Sequence, residues 1–321
     1  ERLRRAIVTP PETDAFRSIH GAADGFSRRY LDRLGDWSLV EGEGEVPSDA
    51  EVEKLLQWSG SNSRGVYFKA LRKQVRQTTP AEACPILKTG TEAPPRFEVR
   101  ENGLRFELSF QEGYSTGLFL DQRDNRRRLL TQHVGAGFPL SPEGDGTPRE
   151  LLNCFSYTCG FSVAGAAGGM RTTSLDLSRK YLDWGRRNFV LNGLDPASHD
   201  FIYGDVFDWL GRLARKSRRF QVLVLDPPTF SRSREHGDFR AESDYGNLVN
   251  LALPLLAPGG VLLASTNASR LSPDHFVALI REAIHGAGRR CLAELYVPQP
   301  PDFPITRDEP AHLKTFWCAV S

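Results

Sequence analysis

The sequence predicts an α/β protein built mainly on a doubly wound, mostly parallel sheet, with a smaller α+β domain ahead of it. The main observation is a regular alternation of strand and helix patterns from Leu151 onward. Each βα repeat returns the chain in the same direction, so consecutive strands lie parallel. Five short apolar segments are the predicted strands: Leu151–Phe155, Thr172–Leu175, Phe201–Tyr203, Phe220–Leu225 and Val261–Ser265.

The first 95 residues have a different pattern. They mix short apolar runs with turn formers, which is typical of a small α+β domain. A linker-like segment rich in Gly, Pro and polar residues ends this region at 89–95. Two alternating runs around Asn102-Gly103 then predict a β-hairpin. We therefore expect a small domain over residues 1–95 and a larger one over residues 96–321.

Composition places the chain among ordinary globular proteins. Hydrophobic residues make up 40% of the 321 residues and charged residues 25%, which is typical of a folded chain with its own cores. Basic and acidic side chains number 41 and 40, for a net charge of +1. A nucleic-acid partner would therefore need a local basic patch, because no global field attracts a polyanion. The sequence makes no prediction about the oligomeric state.

Membrane insertion, export and metal binding are not expected. The sequence has no apolar stretch of the about 20 residues that a spanning helix needs, and no secretory apolar core near its start. The five cysteines, at positions 84, 154, 159, 291 and 318, form no CxxC pair and have no histidine at ligand spacing. The sequence therefore predicts neither a zinc site nor a disulfide framework, and it favours a cytoplasmic location.

Polar side chains follow the first strands of the predicted sheet, at the edge where doubly wound folds bind ligands. The turn over residues 153–160 opens onto a helix start, where unused amides favour a carboxylate or phosphate. Asp176 stands where an acid accepts hydrogen bonds from a ribose diol. Asp205, beside the amide of Val206, can read the amino group and ring nitrogen of adenine. These positions together predict a nucleoside site.

The fourth strand ends in Asp226, followed by Pro227 and Pro228. Two consecutive prolines cannot continue a sheet, so they turn the chain rigidly and fix the preceding carboxylate at the strand tip. A strand-end aspartate is often only a helix N-cap, and that interpretation is favoured for Asp176 or Asp205 taken singly. The Asp-Pro-Pro sequence instead favours a function.

These motifs occur in a combination that is more specific than any one of them. The segments are Ile19–Gly25, Asp32–Asp36, Thr116–Arg126, Asn153–Val163, Asp176–Ser178, Asn188, Leu191–Gly193, Asp226–Phe230, Pro258–Gly260, Asp302–Pro304 and Leu313–Lys314. In these segments, which span nearly the whole chain, the sequence resembles the large-subunit ribosomal RNA methyltransferase I family and its relative, the K half of the K/L enzyme. The resemblance implies a Rossmann-like class I methyltransferase domain, S-adenosyl-L-methionine as cofactor and ribosomal RNA as partner.

The resemblance also implies two sets of site residues. The cofactor-binding set is Asp121, Arg123, Phe155, Ser156, Tyr157, Gly160, Asp176, Leu177, Asp205, Val206 and Asp226. The set at the methyl-transfer end is Asp226, Pro227, Pro228, Phe230 and Asn267. A base in RNA must be splayed out of its stack to reach a methyl donor. Phe230 is the candidate for stacking on that base, with plain core packing as the alternative.

Two departures from the family bear on the chemistry. Cys159 stands where relatives commonly have glycine, and it would narrow the methionine pocket. Cytosine C5 methylation needs a thiolate that adds to ring carbon 6, which the family supplies from a Ser-Cys-Ser segment after the fifth strand. This chain has Ser265-Thr266-Asn267 there, closer to the Ser-Asn-Asn of the K-type relatives that methylate a guanine ring nitrogen. We therefore expect ring-nitrogen methylation, with Asn267 holding the base edge.

Three functions remain open at this point. The first is methylation of a base in large-subunit ribosomal RNA; the second is methylation of a small molecule or protein; the third is an RNA-binding module with little turnover. In the first and third, the small domain would contact RNA through a basic face, and an ordinary solvated surface is the alternative. The candidate residues are Arg28, Arg29, Arg33, Lys69, Arg72, Lys73 and Arg76.

Overall fold

A computed structural model of the protein describes residue 4 and residues 11–71, 83–112, 115–140, 149–233 and 237–321. The chain forms two compact units. The first is Glu1–Arg123 with Pro300–Ala311, and the second is Asp124–Gln299 with His312–Ser321. The boundary between the two units therefore lies after Arg123, whereas the sequence pattern predicts a domain boundary after residue 95. The assignment of a substrate-binding role to residues 1–95 stays a prediction.

The first unit contains a five-stranded sheet in the order β1-β2-β3-β4-β5. Neighbouring strands are antiparallel except β3 and β4, which are parallel because helix α1 carries the chain back between them. Ser48 caps α1 by accepting the N–H of Glu51, and Gly60 ends it with a left-handed φ of 62°. The elements are β1 (Ala15–His20), β2 (Arg29–Leu34), β3 (Trp37–Gly42), α1 (Asp49–Ser59), β4 (Gly65–Ala70) and β5 (Ile86–Gly90).

The predicted hairpin is confirmed within the same unit. β6 (Phe97–Glu101) pairs antiparallel with β7 (Leu104–Leu108). Asn102 and Gly103 at the turn have φ values of 53° and 78°, the left-handed pair that a two-residue hairpin turn requires. Asparagine and glycine adopt that conformation at the least cost, which is why the sequence signal was reliable here.

The second unit is built on a seven-stranded sheet in the order β12-β11-β10-β13-β16-β18-β17. The first five strands in that order are parallel, β18 is antiparallel to β16, and β17 is antiparallel to β18. The predicted α/β class and mostly parallel sheet are confirmed. The strands are β10 (Glu150–Cys154), β11 (Arg171–Asp176), β12 (Asp200–Tyr203), β13 (Phe220–Leu225), β16 (Leu256–Thr266), β17 (Cys291–Pro298) and β18 (Lys314–Val320).

Helices and two small hairpins complete this unit. The hairpins are β8 (His133–Gly135) with β9 (Phe138–Pro139), and β14 (Phe230–Ser233) with β15 (Gly237–Arg240). The helices are α2 (Arg123–Leu130), α3 (Gly160–Ala167), α4 (Arg179–Leu191), α5 (Val206–Arg215), α6 (Ala241–Ala252) and α7 (Pro273–Gly286). Across the described part of the chain, none of the helices has both the length and the apolar character needed to cross a bilayer.

The carboxyl ends of the parallel strands meet at one edge of this sheet. Cys154 lies level with Leu175 on one side and Leu225 on the other, and Leu225 lies level with Ala264. The strand order reverses between β10 and β13, so this edge is a topological switch point of the kind that binds ligands. Phe155 and Asp226 leave the sheet at that level, whereas Asp176 is the last residue of β11 and Ser265 is still paired with β18.

Candidate active site

The turn between β10 and α3 has a strained backbone that the rest of the site holds in place. Phe155, Tyr157 and Cys159 take left-handed φ values of 58°, 48° and 63°, which L residues adopt only at an energetic cost. The N–H of Ser156 donates to the Leu175 carbonyl over 3.1 Å, which ties the turn to β11. Helix α3 then begins at Gly160, and the first amides of a helix have no partner within it.

Asp176 is fixed by two backbone amides at the end of β11. Its Oδ2 accepts from the N–H of Tyr157 and its Oδ1 from the N–H of Ser178, each over 2.8 Å. Burial raises the pKa of this carboxyl above 3.8, although the two amides partly oppose the effect. Each carboxylate oxygen has a second lone pair for a hydroxyl donor. The neighbouring Leu177 side chain is 52% exposed and offers an apolar surface beside that acceptor.

Asp205 at the end of β12 is the N-cap of α5. Its Oδ1 accepts from the N–H groups of Phe207 and Asp208 over 2.9 and 3.3 Å. Val206 is the first residue of the helix and is buried. Asp205 therefore caps this helix, as the simpler interpretation expected. Its recognition of adenine stays a prediction.

The segment after β13 presents polar groups beside those after β16. Asp226 is half-buried, Pro227 is buried, and the next two residues are exposed. Thr229 Oγ1 donates to Asn267 Oδ1 over 2.7 Å. Because the carbonyl oxygen of the Asn267 amide is the acceptor, the amide nitrogen is left with its two donors for other groups. Asn267 was expected at this edge from the sequence, whereas Thr229 was not. The available signal for Thr229 was its hydroxyl in the Asp-Pro-Pro-Thr motif.

Phe230 begins the hairpin β14–β15 and is half-buried. Its ring centroid lies 5.3 Å from the guanidinium carbon of Arg240. This places the ring just beyond the Asp-Pro-Pro corner, on an element outside the main sheet. Stacking on a substrate base stays a prediction.

Tyr245 was missed as a site residue because it lies on the apolar face of α6. Its fully buried hydroxyl accepts the N–H of Ser265 over 2.8 Å and donates to the carbonyl of Leu225 (2.8 Å) or of Ser265 (3.0 Å). It therefore joins the last residue of β13 to β16 immediately before Thr266. Asp226 directly follows Leu225, and Asn267 lies two residues after Ser265. Tyr245 therefore fixes the two points at which the backbone leaves the sheet at the end of β13 and of β16. The sequence signal that could have identified Tyr245 was a hydroxyl group on an otherwise apolar helix face.

The thiols near this edge are unsuited to nucleophilic chemistry. Burial raises the pKa of Cys159 to about 12 and raises the pKa of Cys154 as well. Cys159 packs so closely against α4 that a Cβ placed on Gly185 would lie 2.3 Å from its Sγ. Thr266 stands at the position that the resemblance assigns to a nucleophile; it is fully buried, and its Oγ1 accepts the N–H of Ala268 over 3.2 Å.

In the first unit, Arg123 forms a buried pair with Asp302. The two terminal guanidinium nitrogens donate to Oδ2 and Oδ1 of Asp302 over 2.8 and 2.7 Å. A bidentate pair of this kind fixes the plane and direction of the guanidinium. Asp121 lies two residues earlier, in the short 3-10 helix Leu120–Gln122. That Asp121 and Arg123 contact the cofactor stays a prediction.

Four of the seven residues of the predicted basic face lie within the described part of the chain. Arg72, Lys73 and Arg76 lie outside the described residues. Arg29 donates to Glu51 over 2.7 Å and is 14% exposed, and burial lowers the pKa of Lys69. The remaining two candidates differ, since Arg28 is exposed whereas Arg33 donates to the Gly35 carbonyl. A continuous basic face stays a prediction.

The sheet order and its ligand edge define a class I methyltransferase fold. The groups at that edge fit S-adenosylmethionine chemically, because an acid beside an apolar side chain suits a ribose and its base, and a helix N-terminus suits a carboxylate. Residues 55–318 match the family model of S-adenosylmethionine-dependent methyltransferases. The chain belongs to this family, is a methyltransferase, and uses S-adenosylmethionine as its cofactor.

Individual relatives agree with this assignment. The chain is 32% identical to the ribosomal RNA large subunit methyltransferase I of Klebsiella pneumoniae, strain 342, over 96% of this chain and 74% of that protein. It is 32% identical to a ribosomal RNA large subunit methyltransferase of Deinococcus radiodurans, over 97% and 75% of the two chains. A methyltransferase crystallised with S-adenosylhomocysteine (SAH) superposes with a TM-score of 0.81 at 29% identity, covering 98% of this chain and 78% of the other. The family suggested by the sequence motifs is therefore confirmed.

Proposed function

We propose that the protein methylates a base of large-subunit ribosomal RNA, at a ring nitrogen in preference to cytosine C5. The names of the relatives from Klebsiella and Deinococcus support the RNA class. The observation that carries the choice of atom is the Thr229–Asn267 hydrogen bond at the open edge. It holds an amide where a base edge can meet it, while the nearby position where C5 chemistry needs a thiolate carries the buried hydroxyl of Thr266.

The cofactor lies along the carboxyl edge of β10, β11 and β12 in this proposal. The turn over residues 155–160 and the N-terminus of α3 bind its carboxylate. Asp176 accepts from the ribose hydroxyls, Leu177 packs against the nucleoside, and Asp205 with Val206 reads the adenine. When bound, S-adenosylmethionine supplies an electrophilic methyl group, so the acceptor atom needs a lone pair, alignment and the exclusion of water.

The target base is held by groups after β13 and β16. Asn267 donates its amide hydrogens to an acceptor on the base edge, and Thr229 keeps that amide from rotating. Phe230 stacks on the ring, and Asp226 faces the methyl-transfer point from the rigid double-proline corner. A ring nitrogen suits this arrangement because it already carries a lone pair. It requires orientation and, for a protonated nitrogen, an acceptor for one proton.

The substrate test uses purified protein, S-adenosylmethionine with a labelled methyl group, and unmodified large-subunit ribosomal RNA. The RNA is digested to nucleosides and analysed by mass spectrometry, and a metabolite extract and a protein extract are assayed in parallel. We expect a labelled purine or pyrimidine methylated on a ring nitrogen. Labelled 5-methylcytosine would overturn the choice of atom. Transfer only to the metabolite or protein extract would overturn the choice of RNA.

Matched variants test the role of the amide. Asn267→Ala should lower kcat for RNA by about tenfold or more, since one positioned hydrogen bond to a reacting group is worth about 1–3 kcal/mol. Its affinity for S-adenosylmethionine should not change. Asn250→Ala, at an exposed position of α6, is the control and should behave as the wild type. Equal rates for the two variants would exclude Asn267 from base recognition.

A calorimetric titration tests the cofactor site separately. Asp176→Asn should weaken S-adenosylmethionine binding by about 10- to 100-fold, because a charged acceptor becomes neutral. Burial raises the pKa of Asp176 above 3.8, so the wild-type affinity should begin to fall at a higher pH than for an ordinary aspartate as the carboxylate takes up its proton. The variant should lack this pH dependence. A wild type that binds no cofactor would instead favour an RNA-binding module with little turnover.

The cellular location is part of the same proposal. The five cysteines are all free thiols in the structure. Free thiols persist in a reducing compartment. This supports the cytoplasmic location that the sequence favours.

A further inference from the structure

Three metal-ligating side chains come together on β17 and β18, outside the methyl-transfer edge. The Sγ atoms of Cys291 and Cys318 and a carboxylate oxygen of Glu294 all lie within 4.8 Å of one another. No metal site is expected from the sequence, because the cysteines form no CxxC pair and no histidine stands at ligand spacing. The tertiary structure nevertheless brings these three side chains together, although their positions in the sequence do not have the spacing of a metal site.

A bulge in β17 produces this cluster. Glu294 lies opposite Cys318 and Cys291 opposite Val320 in the antiparallel pair. Residues three apart in a regular strand point to opposite faces of a sheet. The register shift between Cys291 and Ala293 turns Cys291 to the same face as Glu294, and Cys318 shares that face. Bulges often re-aim a side chain in this way at functional positions.

The cluster is accessible from solvent and its charges can balance. Cys318 is buried, Cys291 is half-buried and Glu294 reaches the surface, so an ion can enter past the last two. Arg281 of α7 donates from Nε to both carboxylate oxygens of Glu294 over 3.2 and 3.1 Å. Two thiolates, one carboxylate, one guanidinium and one divalent cation sum to zero charge. The guanidinium therefore offsets the excess negative charge of the three ligands.

We propose that Cys291, Glu294 and Cys318 bind one thiophilic divalent metal ion, with zinc as the best match and water as a fourth ligand. Two sulfur ligands and one oxygen ligand suit the tetrahedral preference of zinc. Binding releases two thiol protons to solvent. The ion joins β17, the last strand of the sheet, to β18 and so stabilises that edge independently of methyl transfer.

The chemistry of the thiols restricts the choice of metal. A cysteine sulfur binds a metal ion as the thiolate, so the ion must displace a proton from each of Cys291 and Cys318. Zinc and cadmium form metal–thiolate bonds strong enough to do so, whereas magnesium and calcium prefer oxygen ligands. The site is therefore selective against the abundant hard cations.

The test titrates the full chain with Cd²⁺ and then Zn²⁺ in a phosphine reductant, with sulfur-to-metal charge transfer read in the ultraviolet. The wild type and Cys84→Ser, which removes a cysteine of the other unit, should bind one ion per chain. Cys291→Ser should lose half of the charge-transfer absorbance and bind about tenfold or more weakly. Glu294→Gln should weaken binding while keeping the full absorbance. At the same concentration, Zn²⁺ should raise the melting temperature of the wild type and of Cys84→Ser more than that of Cys291→Ser.

Several results would overturn the proposal. One is a reduced wild type with no charge-transfer absorbance, and another is a Cys291→Ser variant that binds as tightly as Cys84→Ser. A third is isolated protein that carries a Cys291–Cys318 disulfide and binds no metal after reduction, which would make the pair a redox couple instead. Cys318 is buried in the core, and replacing it could unfold the protein. The half-buried Cys291 is therefore the cysteine replaced, so that a loss of metal binding is not caused by a loss of folding.

Discussion

Replacing Tyr245 by phenylalanine tests whether one hydroxyl fixes the methyl-transfer end of the sheet. The hydroxyl accepts from Ser265 and donates to Leu225 or Ser265, all at 2.8–3.0 Å in the core. Tyr245→Phe keeps the ring and removes both functions. A buried group that loses its partner costs about 1–3 kcal/mol. With one donor and one acceptor affected, the free energy of unfolding should fall by about 2–6 kcal/mol.

Urea denaturation followed by circular dichroism measures that change, with Tyr203→Phe as the matched control. Tyr203 is 48% exposed, and a surface change of this size should stay within about 0.5 kcal/mol. In Tyr245→Phe, kcat should fall about tenfold, which corresponds to about 1.4 kcal/mol, while the dissociation constant for S-adenosylmethionine stays the same. Equal unfolding free energies for the two variants, or an unchanged kcat in a destabilised Tyr245→Phe, would refute this role of the Tyr245 hydroxyl.

Two further substitutions test packing and charge burial. Asp302→Asn should lower the free energy of unfolding by about 3–5 kcal/mol, because the carboxylate that binds the buried Arg123 guanidinium in a bidentate pair becomes a neutral amide. Asp183→Asn, in an exposed ion pair, should cost less than about 1 kcal/mol, and similar losses in urea titrations of both variants would contradict this. Gly185→Ala should cost about 1–3 kcal/mol by overpacking, since its Cβ would meet Cys159 Sγ at 2.3 Å. Adding Cys159→Gly should restore part of that loss in a double-mutant cycle, and strict additivity would show that the two residues do not compete for space.

The parallel strands of the sheet could be predicted from the sequence because the patterns that indicate them lie within short stretches of chain. The five strands β10, β11, β12, β13 and β16 are short apolar segments separated by helical patterns, and each was found to within a few residues, apart from the longer start of β16. The hairpin at Asn102-Gly103 was predicted for the same reason, since two residues determine its turn. β17 and β18 were not predicted. They pair antiparallel after the βα repeat has ended, and the repeat carries no information about them.

The candidate site was predicted less completely. Asp176 ends a strand, and Asp226 and Asn267 each directly follow one, so the alignment of strand ends was enough to place them at one edge. Tyr245 and Thr229 act through contacts with residues distant in sequence. No local pattern distinguishes a core tyrosine from one whose hydroxyl joins two strands.

The sequence alone determined the fold class, because periodicity and turn chemistry are properties of neighbouring residues. Its resemblance to a known family, carried by a set of spaced motifs, indicated the methyltransferase family and the cofactor. The tertiary structure decided which side chains meet. It assigned Asp205 to the cap of α5, paired Arg123 with Asp302, and gathered Cys291, Glu294 and Cys318 through a bulge. Such contacts depend on strand register and on loop closure over long stretches of chain, which hydrophobic pattern does not specify.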